Sequence, residues 1–166
     1  MTKRVLVAYA TKMGTTGEIA EEIGAELSAR GLETEVAEVR TVRDVAPYDA
    51  VVVGSGLYAN RWRKEAVRFV RANADALASR PVWVFHSGPI GEDLDQQVPA
   101  PARVAPLLER IGAHGPTTFA GALLPERAKG FIAKKVAASK VGGDYRDHDA
   151  IRAWADEIAD ALVVAA

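Results

Sequence analysis

The sequence predicts an α/β fold, a doubly wound parallel sheet with helices on both faces. Continuous apolar runs at residues 4–10, 49–54 and 81–86 have the character of strands buried on both sides. Segments with helical apolar spacing lie between these runs, and short turns join the two kinds of element. With 166 residues, 49% of them hydrophobic, the chain is expected to form one domain, residues 1–166, around a sizeable core.

The first run, Arg4 to Ala10, reads as a buried strand. A helix is expected from about Thr15 to Arg30, with Ile19, Ile23 and Leu27 on one stripe and Gly31 as its stop. Residues 34–39 alternate polar and apolar, as an edge strand half open to water does. Residues 49–54 form the second buried strand, and a helix follows from about Arg63 to Leu77. The third buried strand covers 81–86, and the Pro- and acid-bearing stretch 92–101 is loop. Val104, Leu107, Leu108 and Ile111 mark a short amphipathic helix, and residues 117–123 a further strand. Ile151, Trp154, Ala155, Ile158, Ala161 and Leu162 keep helical spacing in the last helix, with Asp147 or Asp149 as its cap.

Composition removes several chemistries. Without cysteine there are no disulfides, thiolate nucleophiles, iron–sulfur clusters or zinc–cysteine sites, so redox work requires a bound cofactor. Three scattered histidines make a metal site improbable. A net charge of -1 leaves no global basic field to draw nucleic acid. The residues before the first strand are too few and too weakly apolar for a signal peptide, and no apolar run is long enough to span a bilayer. The expected location is cytoplasmic.

The ligand of such a sheet binds at the carboxyl ends of its strands, so three loops carry the functional reading: 11–16, 55–62 and 87–91. Thr11-Lys12-Met13-Gly14-Thr15-Thr16 joins the first strand to a helix start, whose free N–H groups and dipole favour an anion. Threonine hydroxyls donate to phosphate oxygens, and Gly14 lets the backbone approach closely. The loop lacks the triphosphate-gripping Gly-x-x-x-x-Gly-Lys-[Ser/Thr] pattern and the dinucleotide Gly-x-Gly-x-x-Gly pattern, so a monophosphate suits it. An ordinary turn whose threonines cap the helix remains the alternative. Ala8, Tyr9 and Ala10 supply none of the paired acids that a phosphoryl-accepting receiver domain needs.

With these loops in place the chain resembles the flavodoxins. Residues 11–16 look like their Thr-x-Thr-Gly-x-Thr phosphate loop, with Met13 in place of the middle threonine. Gly54-Ser55-Gly56-Leu57-Tyr58 and Ser87-Gly88-Pro89-Ile90-Gly91 match the two loops that flank the flavin ring. The branch containing the menaquinone-dependent protoporphyrinogen dehydrogenases is the most similar. Phe119-Ala120-Gly121-Ala122-Leu123, Gly142-Gly143-Asp144-Tyr145-Arg146-Asp147 and the extra sequence from Pro125 to Val141 carry that likeness.

The resemblance implies a five-stranded sheet of order 2-1-3-4-5, flavin mononucleotide (FMN) as cofactor and an FMN-dependent oxidoreductase. Electrons would pass between a small or porphyrin-like donor and a quinone or protein acceptor. A pure electron carrier, or a flavin-free regulatory or scaffold domain, is the alternative on the same fold. Thr11, Gly14, Thr15 and Thr16 would hold the phosphate, with Lys12 and Met13 beside it. Tyr58 or Trp62 would stack on the ring, Ser55 and Ser87 would bond the ribityl chain or ring edge, and Gly56 and Gly88 would let backbone approach the ring. Leu57, Pro89, Ile90 and Gly91 complete the two flanking loops. The flavin does the chemistry, and no side chain is assigned as catalytic.

Two basic stretches stand out. Asn60-Arg61-Trp62-Arg63-Lys64 places positive charge beside the ring, which favours its anionic reduced forms and a less reducing flavin. Residues 127–140 carry five cations and no acid, interleaved with Phe131, Ile132 and Val136. They read either as a short helix packed on the sheet or as a peripheral contact with an anionic membrane or acidic substrate. His86 closes the third buried strand and reads as a core or rim histidine, with proton transfer as the alternative.

Overall fold

The computed structural model describes residues 2–88, 96–123 and 143–164. In chain order it contains β1 (Arg4–Ala10), α1 (Thr15–Ala29), β2 (Glu33–Glu38), β3 (Ala50–Tyr58), β4 (Arg61–Trp62), α2 (Lys64–Ala72) and α3 (Ala74–Ala78). These are followed by β5 (Val82–Ser87), α4 (Ala105–Arg110), β6 (His114–Phe119), β7 (Ala122–Leu123), β8 (Gly143–Asp144) and α5 (His148–Val164).

The main sheet runs β2-β1-β3-β5-β6, all parallel, and β4 folds back antiparallel on β3. Leaving the β4 hairpin aside, this is the expected order 2-1-3-4-5. Period-two alternation explains the continuous apolar runs. Leu6, Ala8, Val51, Val53, Val82 and Val84 pack on the face covered by α2 and α4. Val5, Val7, Val52 and Phe85 pack on the opposite face with α1 and α5. There Phe85, Phe119 and Trp154 form an aromatic cluster with centroids 5.5–5.9 Å apart. Gly54 makes room for it, since a Cβ at that position would lie 2.1 Å from Phe85 Cζ.

Three element boundaries differ from expectation. β3 continues past Gly54 to Tyr58 because β1 and β5 still supply partners there, pairing Ala10 with Ser55 and Ser87 with Gly56. The helix expected from Arg63 to Leu77 divides at Asn73, whose side-chain amide donates to Phe69 O (2.8 Å) and competes with the backbone ladder. The expected strand 117–123 starts earlier, at His114, and leaves the sheet after Phe119, where its partner β5 has ended. Ala122–Leu123 then pairs antiparallel with Gly143–Asp144. Asp147 takes the capping role at α5, accepting the Ala150 N–H at 3.1 Å.

The basic stretch 127–140 and the loop residues 89–95 lie outside the described residues. Among the described residues, no helix is long and apolar enough to cross a membrane.

Candidate functional site

The chain leaves β1 toward β2 on one side, then crosses to β3 on the other, so the strand order reverses between β1 and β3. The register sets the carboxyl ends of β1, β3 and β5 side by side, which brings the points where the three expected loops begin to one place.

The first loop is built around Gly14, which adopts φ +92°, in the left-handed region that glycine enters without strain. Thr11 Oγ1 accepts the Gly14 N–H at 2.9 Å and closes the turn. Gly14 is itself the N-cap of α1, and among the described residues no side chain caps this helix. The threonines therefore do not cap it in the ordinary way. The first inward bond of the helix is Glu18 N–H to Gly14 O (3.1 Å), so the N–H groups of Thr15, Thr16 and Gly17 have no acceptor within it. A left-handed glycine followed by three orphaned N–H groups at a helix start fits a phosphate.

The hydroxyls serve the loop more than the opening. Thr16 is buried and its Oγ1 lies 3.0 Å from Ser87 Oγ, which ties the first loop to the third. Thr15 Oγ1 donates to Ala122 O at 3.4 Å. Thr11 and Met13 are half-buried and Lys12 is exposed.

The second loop is a β-hairpin. Ala59 and Asn60 sit at φ 51° and 58°, a two-residue turn whose left-handed centre matches the twist of the flanking strands. Tyr58 reaches back across the site, and its hydroxyl accepts the Lys12 N–H at 3.0 Å. Its ring lies against Gly56, where a Cβ would come within 2.5 Å of Cε2. Lys12 Nζ and the Arg63 guanidinium approach the ring to 6.0 and 5.8 Å. Arg63 also pairs with Glu65 at 3.3 Å, which takes up part of its charge.

Ser55 and Trp62 lie beneath the loop. Ser55 is fully buried, its Oγ donating to Gly56 O (3.0 Å) and accepting the Arg63 N–H (2.9 Å). Trp62 is 6% exposed, and its Nε1 donates to His86 Nδ1 at 3.1 Å. That bond leaves the His86 proton on Nε2, which faces Thr118 Oγ1 (2.8 Å) and Val98 O (3.0 Å). Burial lowers the His86 pKa to about 4, so the ring is neutral and pinned at both nitrogens. The core reading of this histidine holds.

In the third loop, Gly88 is required by close approach. A Cβ there would lie 2.8 Å from Leu57 Cβ and 3.0 Å from Leu57 O. Pro89, Ile90 and Gly91 lie outside the described residues.

Arg146 contributes a long-range contact beside this site. The Arg146 side chain, 11% exposed, binds Asp144 (2.6 Å) and Glu18 (2.7 Å), clasping the β7–β8 pair to the first turn of α1. Arg146 in turn holds the Asp144 carboxyl down at about pKa 2. The Asp-Tyr-Arg run was visible, but nothing local signalled a contact with Glu18.

Comparison with known proteins bears on the family and the fold. A model of the flavodoxin domain family matches residues 6–142. Protoporphyrinogen IX dehydrogenase [quinone] of Escherichia coli K12 is 26% identical over 98 residues, which cover 58% of this chain. The match spans about half, 54%, of that relative's length. Among solved structures, an archaeal flavodoxin superposes with TM-score 0.62 at 14% identity, covering 96% of this chain and 98% of that one. Rubredoxin oxygen:oxidoreductase of Desulfovibrio gigas gives TM-score 0.67 at 15% identity, covering 98% of this chain and 37% of that one. At these identities the structures speak to fold alone. The chain belongs to the flavodoxin domain family, a family of FMN-binding proteins.

Proposed function

We propose that this chain is an FMN-dependent oxidoreductase that passes electrons between a small or porphyrin-like donor and a quinone or protein acceptor. The observation that carries the reading is the cradle at the β1/β3 switch, where left-handed Gly14 precedes the orphaned N–H groups of Thr15, Thr16 and Gly17. When bound, the flavin supplies the capacity to take up and release electrons or hydride.

The residues of the chain then have distinct tasks. The first-turn amides and the Thr11 hydroxyl hold the phosphate, with Lys12 and Met13 on its rim. Tyr58 and Leu57 wall the ring, and the backbone at Gly56 and Gly88 lies close to it. Ser55, Trp62, Thr16 and Ser87 hold the loops in register from below. Pro89, Ile90 and Gly91 are proposed to complete the far wall, as the family pattern implies.

The porphyrin-like donor and quinone acceptor are supported by the name of the E. coli relative. The pure-carrier reading has its own support, since His86 is neutral, buried and committed to structural bonds and so offers no proton to a substrate. Steady-state assays separate the two. Protoporphyrinogen oxidation coupled to quinone reduction by the FMN-loaded protein supports the enzyme; electron transfer only with protein partners supports the carrier.

A further inference from the structure

Beside the hairpin that carries Tyr58, a groove of about 590 Å³ runs between α2 and the segment leading into α4. Arg61, Lys64, Arg68, Arg71 and Arg103 line it, over a floor that includes Trp62 and Val104, and no acid is among its described lining residues. All five cations are exposed, and among the described residues none of their side chains has an ion-pair or hydrogen-bond partner. Elsewhere, exposed cations such as Arg30, Arg110 and Arg152 are matched with acids.

The pattern is a concentrated one. Lys64, Arg68 and Arg71 fall at i, i+4 and i+7 of α2, so like charges stack on one face and repel each other. The whole chain carries a net charge of only -1, so this is a local positive pole on a nearly neutral protein. Such a pole steers an oppositely charged body toward one face.

We propose that this groove is the docking surface for an acidic protein partner, the donor or acceptor of the electrons. The proposal rests on the redox reading of the neighbouring loops. A protein surface suits the groove better than a small anion does. None of the five cations is buried or fixed by a second bond, so the described residues form no rigid cage, whereas several exposed charges match a broad acidic patch. The groove begins at Ala59–Trp62, directly after Tyr58, so a partner seated there lies against the loop that walls the flavin.

The test uses the FMN-loaded protein and a fluorescent decaglutamate peptide, followed by anisotropy. Binding is expected at low ionic strength, with loss of about tenfold or more in affinity at about 0.3 M salt. The double variant Arg68→Glu/Arg71→Glu is expected to bind the peptide at least tenfold more weakly while its FMN titration is unchanged. Arg43→Glu, outside the groove, is the charge control and should match the parent protein. Absence of peptide binding at low salt, or equal loss in the control, overturns the proposal. So does retention on phosphatidylglycerol vesicles without peptide binding, which would make the groove a membrane contact. A chain that binds the peptide but no FMN instead overturns the redox reading and leaves the acidic docking face standing.

Discussion

The Tyr58 hydroxyl accepts the Lys12 backbone N–H at 3.0 Å, joining the tip of β3 to the phosphate turn after β1. The two loops expected to grip opposite ends of a flavin are thus coupled through one aromatic side chain. Gly56 permits the arrangement, because any Cβ there would collide with the Tyr58 ring.

Tyr58→Ala should weaken FMN binding by roughly 2 kcal/mol, about thirtyfold, through loss of the aromatic wall. Tyr58→Phe keeps the ring and should cost about 1 kcal/mol at most. Quenching of FMN fluorescence on titration measures both. Equal affinity for Tyr58→Ala and the parent would remove Tyr58 from the site.

Gly14 sits at φ +92°, where a branched side chain is strained by on the order of 1–2 kcal/mol. Gly14→Val should therefore distort the phosphate cradle and reduce FMN affinity at least tenfold. Riboflavin, which lacks the phosphate, should lose little. A parallel titration of both ligands reads the difference, and equal losses would place the phosphate elsewhere.

His86 should make stability depend on pH. Its pKa is about 4 in the fold against 6.5 for the free side chain, so between these values the unfolded chain takes up a proton that the native protein refuses. Stability from this group is complete above about pH 6.5 and declines as pH falls toward 4, by about 3 kcal/mol at most. Urea unfolding at a series of pH values tests the sign. NMR of the native protein should show the His86 ring still neutral at pH 5; an imidazolium there would contradict the account.

Lys12 Nζ lies 6.0 Å from the Tyr58 ring centroid and has no ion-pair partner among the described residues. Its charge should favour the reduced, anionic flavin. Lys12→Gln is expected to lower the two-electron potential by on the order of 20 mV, which a spectroelectrochemical titration resolves. A potential that stays the same or rises would show that the Lys12 charge does not act on the flavin.

Much of this architecture can be read in the sequence, because buried parallel strands and amphipathic helices are written in local periodicity. The Val5–Ala10 run, the Ile19–Ile23–Leu27 stripe and the glycines at 14 and 56 each have a local physical cause. The failures are non-local. Gly54-Ser55-Gly56 has the composition of a turn, yet neighbours on both sides keep it in the sheet. Trp62 has the composition of a ring wall, but the direction of β4 turns it inward onto His86. The Arg146–Glu18 clasp spans 128 positions, and the cationic groove joins residues 59–71 to 101–104, so neither has a signature within one segment.

The most direct measurement is titration of the purified protein, stripped of any flavin, with FMN, followed by visible absorption and flavin fluorescence. Saturable one-to-one binding with quenched emission, and far weaker binding of riboflavin, is the predicted result. Emission that stays at the value of free FMN throughout would contradict the claim that the turn between β1 and α1 holds the phosphate.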